Sequence, residues 1–251
     1  MMPAAILPAA ILEVRGLGKR FGGFVALDGI NLTVAAGERL GLIGPNGSGK
    51  STLVNCLSGT LHHDSGSAVF DGHAIDGMPA YRRTRLGLAR SFQLPKPFRS
   101  LNLVDNLRIP LLYTVNARHG AHLSDAQVQA RCRELLQEVA LADKARRLPR
   151  DLTQVEMRKL ELARAVATEP RLLFADEAMA GLSPSEVEEI IAVLLRLNQQ
   201  GITIVLIEHI MRAVMSFSNR LVVLVAGQKI ADGLPQEVVR NPEVERAYLG
   251  E

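Results

Sequence analysis

The chain of 251 residues predicts an α/β fold: a parallel-sheet core, an antiparallel β subdomain near the start, and an α-helical subdomain inserted at about 94–165. Three observations predict it. Two apolar runs, at 171–175 and 202–207, show no alternation and suit strands covered on both faces. An Asp-Gly pair between β-type residues at 68–75 marks a hairpin. Beyond a loop with prolines at 95 and 97, apolar residues recur at helical spacing. With 47% hydrophobic residues the chain can bury a real core, and its length suits one large domain over 11–251 preceded by a loose extension, 1–10.

In order, residues 11–14 predict a short strand, Lys19-Arg20-Phe21-Gly22-Gly23 a turn, and alternating Ile30, Leu32 and Val34 a second strand. Ala36-Gly37 turns the chain into the apolar run Leu40, Leu42, Ile43. Residues 86–92 predict a further strand ended by Gln93. Leu94-Pro95-Lys96-Pro97-Phe98 follows as a loop, because proline does not fit inside a strand or helix. Residues 117–123 predict a mobile loop. Ser124 and Gln127 then form a capping box ahead of Val128, Cys132, Leu135, Leu136 and Val139. A helix starts near Leu152-Thr153, with Leu160, Ala163 and Ala167 on its apolar face. Ser183-Pro184-Ser185-Glu186 opens another, with the stripe Val187, Ile190, Ile191, Leu194, Leu197, and Gly201 stops it. Strands at 221–225 and 228–230 and a short helix from Asn241-Pro242 close the chain.

The stretch Gly44-Pro45-Asn46-Gly47-Ser48-Gly49-Lys50-Ser51-Thr52 fits the phosphate-binding pattern G-x-x-x-x-G-K-S/T. It lies between an apolar strand and the helical run Leu53, Val54, Leu57, the setting the pattern requires. Its glycines let backbone N–H groups turn inward on an anion, and a helix N-terminus adds positive potential. Lys50 reaches the outer phosphates and Ser51 offers a hydroxyl to Mg²⁺. The motif predicts a nucleoside triphosphate and leaves its use open.

Asp176-Glu177 ends one buried strand and Glu208-His209 ends the other. Acids at the carboxyl end of a parallel sheet stand where such sheets place ligands. Phe21, beside two glycines, reads equally as a purine-stacking platform or an ordinary core aromatic. The net charge of +3 is spread along the chain, which gives no indication of nucleic acid. Cys56 and Cys132 stand at apolar helical positions without metal-ligand spacing and read as buried free thiols in a reducing compartment. The apolar start lacks a basic leader, and no run approaches the ~20 residues of a membrane span, so a soluble cytoplasmic protein is expected.

Phosphate loop, strand-end glutamine, strand with Asp-Glu and strand with histidine, in this order, resemble the ATP-binding subunits of ABC transporters over nearly the whole chain. Lys19-Arg20-Phe21-Gly22-Gly23, Ser91-Phe92-Gln93, 160–165, Ala180-Gly181-Leu182 and Tyr248-Leu249-Gly250 resemble the branch serving importers of branched-chain and other hydrophobic amino acids. The resemblance implies a P-loop NTPase (RecA-like) core using ATP and Mg²⁺. It implies that Phe21 stacks on adenine and that Gln93 touches Mg²⁺ and the lytic water. Asp176 is then the metal-associated aspartate, Glu177 the general base and His209 the γ-phosphate contact. It also implies a second ATPase subunit, two membrane permease subunits, an indirect periplasmic or extracellular binding protein, and a place at the inner face of the membrane. The loop 93–98 would pass motion to the permease, with Pro95, Pro97 and Phe98 as docking elements or as a plain turn.

The family's Leu-Ser-Gly-Gly-Gln signature appears here as Leu152-Thr153-Gln154-Val155-Glu156. Thr153 keeps a hydroxyl for the partner's γ-phosphate. Val155 brings a β-branched residue that resists positive φ, and Glu156 brings a negative charge. Three rivals remain: a small-molecule kinase, an ABC ATPase acting on nucleic acid, and a catalytically weak partner subunit.

Overall fold

The computed structural model describes residues 9–92, 95–119 and 122–249. In chain order the strands are β1 (Ala10–Phe21), β2 (Phe24–Ala35), β3 (Arg39–Ile43), β4 (Ser65–Phe70), β5 (His73–Ala74), β6 (Leu88–Ser91), β7 (Leu172–Asp176), β8 (Thr203–Ile207), β9 (Arg220–Val225) and β10 (Gln228–Gly233). The helices are α1 (Lys50–Ser58), α2 (Ala80–Leu86), α3 (Leu103–His119), α4 (Asp125–Glu138), α5 (Gln154–Val166), α6 (Pro184–Gln199), α7 (Met211–Phe217), α8 (Pro235–Val238) and α9 (Pro242–Leu249).

Two sheets form. One is antiparallel, ordered β2-β1-β4-β5; the other is ordered β10-β9-β3-β8-β7-β6 and is parallel except for the β10–β9 pair. In β7 the side chains divide by parity. Leu172 and Phe174 enter a core shared with α1 and the antiparallel sheet, while Leu173 and Ala175 enter a core shared with α3–α6. A strand covered on both faces gains nothing from a polar residue at either parity, so its sequence is apolar throughout.

Several boundaries depart from expectation. The first strand is not four residues but twelve, running through Lys19, Arg20 and Phe21. Only Gly22-Gly23 turns, joining Phe21 to Phe24. Pairing with β2, which sets Lys19 opposite Leu27 and Arg20 opposite Val25, overrides the polar residues that suggested a turn. The strand expected at 86–92 is confined to Leu88–Ser91, because Leu86 ends α2 and Gly87 caps it with φ +109. The sequence of α2 has little apolar periodicity. Its anchor is the buried guanidinium of Arg83, which donates to the Cys56 and Leu57 carbonyls (2.6 and 2.8 Å) at the end of α1. The loop expected at 117–123 is shorter: α3 continues to His119, and Gly120 and Ala121 lie outside the described residues. The Asp-Gly hairpin forms with Asp71 and Gly72 both at positive φ, as the tight primed turn requires.

The helical layer, α3 to α5, packs over the β6–β7–β8 side of the parallel sheet. Arg118 ties it down: its guanidinium donates to the carbonyls of Thr84, Arg85, Thr168 and Glu169.

Candidate functional site: the carboxyl edge of the parallel sheet

Strands β3, β8 and β7 are neighbours, with Leu42 opposite Ile207 and Ile207 opposite Asp176. The loop after β3, His209 after β8 and Asp176-Glu177 at the end of β7 therefore emerge along one edge, spread over about 10 Å of strand spacing. The next strand, β6, leads to Gln93, which lies outside the described residues.

The 44–52 loop is shaped by crowding as well as by its own turn. A Cβ on Gly44 would stand 2.1 Å from the Leu224 carbonyl oxygen, and one on Gly49 2.7 Å from that of Ala26. Gly47 (φ +78) faces open space. Gly44 and Gly49 thus answer to neighbouring backbone, and Gly47 to the turn itself. Pro45, Asn46 and Gly47 form the loop's outer rim; Ser48 is buried, and Ser51 is exposed at the start of α1 with Thr52 partly covered behind it. No side chain caps α1, so its first N–H groups are left to a ligand. Lys50 is 9% exposed, and its Nζ donates to the Gly44 and Pro45 carbonyls at 2.7 and 2.9 Å. Burial lowers its pKa, and the nearby Glu177 and Asp176 carboxylates oppose part of that shift.

Asp176 is buried and paired. Arg90 donates to its Oδ2 from Nη2 (2.5 Å) and Nε (3.1 Å), and to Asn55 Oδ1 on α1 (2.6 Å). Glu177 leaves the strand at φ +46, a left-handed conformation costing about 1–2 kcal/mol for a residue with a side chain. Its N–H donates to the Ile207 carbonyl, binding the two strand ends together. His209 is exposed, its Nδ1 4.0 Å from Glu208 Oε2. Phe21 is 49% exposed at the tip of the β1–β2 hairpin with Lys19 Nζ over its ring, which makes it a surface aromatic rather than a core one.

Thr153 stands in the helical layer. It is the N-cap of α5: its hydroxyl accepts from Glu156 N–H, and Glu156 Oε2 accepts from Thr153 N–H. The backbone part of the expected conflict at Val155 does not arise, because residue 155 lies in the first turn of a right-handed helix, where no positive φ is needed; its added bulk toward a partner's nucleotide is a separate matter. The Glu156 charge is likewise committed, at 2.5 Å from Lys144.

Sequence reasoning missed three side chains at this edge. Arg90 stands inside a predicted strand with nothing to mark its partner, Asn55 gives no signal, and Glu208 appears beside His209 without a role. Tyr248, on α9, also comes near the loop: burial raises its pKa, and the neighbouring Gly44 backbone amide acts the other way.

The family pattern described as "ABC transporter" matches residues 27–180, more than half of the chain. The chain belongs to the ABC transporter family. A second pattern, "Branched-chain amino acid ATP-binding cassette transporter", matches 228–251. Among ABC relatives, the chain is 38% identical to the high-affinity branched-chain amino acid transport ATP-binding protein BraF of Pseudomonas aeruginosa, over 96% of this chain and 98% of that one. It is 35% identical to the corresponding LivG of Escherichia coli, with the same coverage. The structure is similar to the ADP conformation of MJ1267, an ATP-binding cassette of an ABC transporter, with TM-score 0.86, 31% identity, and coverage of 97% of this chain and 100% of that one. As a member of this family the chain is an ATPase built on the P-loop NTPase fold, and it binds ATP.

Proposed function

We propose that this chain is the ATP-hydrolysing subunit of an importer of branched-chain or other hydrophobic amino acids, held at the inner face of the membrane by two permease subunits and supplied by a separate solute-binding protein. The observation that carries this reading is the shared edge of β3, β8 and β7, with Asp176-Glu177 and His209 at the ends of β7 and β8 and Lys50 at the start of α1, which the loop after β3 leads into. The relatives' names supply the solute class. Among the described residues no helix is long and apolar enough to cross a membrane, so transport needs other chains.

In this reading Phe21 stacks on adenine and residues 44–52 cradle the phosphates. Lys50 exchanges its carbonyl partners for phosphate oxygens. The donor set fits Mg²⁺: a Ser51 hydroxyl and an Asp176 carboxylate are hard oxygen ligands, with Gln93 as a third and phosphate and water completing the shell. When bound, the ion neutralises phosphate charge. Glu177 accepts the proton of the attacking water as the bond between the γ-phosphorus and the bridging oxygen breaks, and His209 donates to the γ-phosphate. Thr153 serves the ATP held by a second cassette subunit.

The described part of the 93–98 loop suits docking to a permease. Asn106 holds Phe98 by its backbone N–H and C=O, and Arg164 lies over the exposed Phe98 ring while donating to the Lys96 carbonyl. The test is Glu177→Gln in the chain reconstituted with its permease subunits. ATP binding is retained, while phosphate release and uptake of labelled leucine fall by about 10²-fold or more. Phosphate release at the wild-type rate removes Glu177 as the base. Full ATPase activity without leucine uptake removes the solute class.

A further inference from the structure

Glu208 is the most completely buried carboxylate at this edge and has no part in the reading above. It is 1% exposed, directly after β8, a strand of five buried residues. Its two oxygens differ. Oε1 accepts the Met179 N–H at 2.9 Å, whereas Oε2 is buried and finds no hydrogen-bond partner among the described residues. The His209 Nδ1 lies 4.0 Å from Oε2. A buried carboxylate oxygen left unsatisfied carries its full desolvation penalty, so the fold gains when a partner arrives. A ring movement of about 1 Å brings Nδ1 to hydrogen-bond length.

Met179 belongs to the 177–182 segment that begins at the strained Glu177, and the start of α5 holds the same segment: Gln154 and Arg158 both donate to the Ala180 carbonyl. The charged groups around Glu208 are Arg158 on α5, Glu177 and His209. Burial pushes the Glu208 carboxyl up, against the Met179 N–H and His209, which act the other way.

We propose that Glu208 is a positioning residue: it holds the segment after Glu177 through Oε1 and orients the His209 ring through Oε2, joining the two loops that flank the γ-phosphate. This rests on His209 as the γ-phosphate contact. When the ring turns to meet Oε2, Nδ1 is engaged and Nε2 is left to face the phosphate. That bond between Oε2 and Nδ1 also fixes which way the ring faces, so Nε2 is the nitrogen presented to the γ-phosphate; because the Oε2 carboxylate accepts from Nδ1–H, donation from Nε2 requires the doubly protonated ring.

The test is a double-mutant cycle on phosphate release by the full chain with Mg²⁺ and ATP, with ATP affinity and thermal midpoint measured on each variant. Glu208→Leu is expected to lower kcat about 10-fold while ATP affinity stays within about 2-fold. Placed on His209→Ala, it should cause a clearly smaller further loss than on wild type, because the ring it orients is gone and only the Oε1 bond to the Met179 N–H is left to lose. Glu208→Gln keeps the volume; its amide oxygen accepts the Met179 N–H and its NH2 donates to an unprotonated Nδ1, which leaves Nε2–H as the donor, so it should retain about a third or more of wild-type turnover. Full additivity of Glu208→Leu with His209→Ala, wild-type turnover in Glu208→Leu, or Glu208→Gln as slow as Glu208→Leu each overturns the proposal. His209→Ala at wild-type turnover instead removes the reading of His209, which is a separate result.

Discussion

Two helix N-termini in this chain are built in opposite ways. Helix α1 begins at Gly49 with no side-chain cap, and helix α5 begins at Thr153 with both halves of a capping box. Both present the positive end of a helix dipole, yet only α1 keeps its first amides unclaimed by its own side chains. At α5 the Thr153 hydroxyl and the Glu156 carboxylate already satisfy two donors, and Lys144 balances the carboxylate. The pair separates two kinds of anion site. One is held open by packing, because neighbouring backbone lets no Cβ into Gly44 or Gly49. The other is closed by its own side chains.

The strongest way to break the comparison is at the packed end. Gly44→Ala puts a methyl against the Leu224 carbonyl and is expected to cost about 3 kcal/mol in urea unfolding, whereas Gly47→Ala, which meets only the φ +78 penalty, costs about 1 kcal/mol. Equal costs would show that the loop, not its neighbours, sets the need for glycine. At the capped end, Thr153→Ala removes the N-cap and should cost about 1 kcal/mol of stability without lowering ATP affinity at the chain's own loop.

A finer cut is Glu156→Gln. It keeps an acceptor for Thr153 N–H and loses the Lys144 ion pair, a change of about 0.5 kcal/mol. Burial pushes the Glu156 carboxyl up, but the Lys144 and Thr153 bonds outweigh it and leave its pKa lowered. The stability it adds is therefore complete above the unfolded carboxyl value of 4.5 and is lost as pH falls through the lower native value. Wild type and Glu156→Gln should differ at pH 7 and converge near pH 3 in chemical denaturation. The smallest effect is in thiol labelling. Cys56 on α1 and Cys132 on α4 are both buried, with pKa raised by burial to about 11, so neither reacts at neutral pH in the folded chain. Their relative labelling in low urea reports which half opens first.

Much of this was legible in the residues because local chemistry decided it. The phosphate loop is a contiguous pattern, and the capping boxes at Ser124 and Ser183 formed where Ser preceded Gln or Glu by three; the one at Thr153 follows the same spacing but is hidden when Glu156 is read as a departure from the family's signature. Parallel strands announced themselves through unbroken apolar runs. Long-range pairing was not legible. β1 holds Lys19 and Arg20 because pairing with β2 outweighs their polarity, and α2 is held by Arg83 bonding to carbonyls 26 and 27 residues away. In the site, strand-end acids and histidine could be seen one by one. Arg90 on Asp176 could not, because 86 residues separate them.

The resting position of Lys50 carries a further consequence. An ammonium in water must shed its hydration before it grips a phosphate, and that dehydration resists binding. Here folding has already removed most of the water and seated the cation on the Gly44 and Pro45 carbonyls. In the proposed site an incoming triphosphate would meet a charge prepared in advance and trade one oxygen cradle for another, the loop's own carbonyls holding the place of the anion's oxygens.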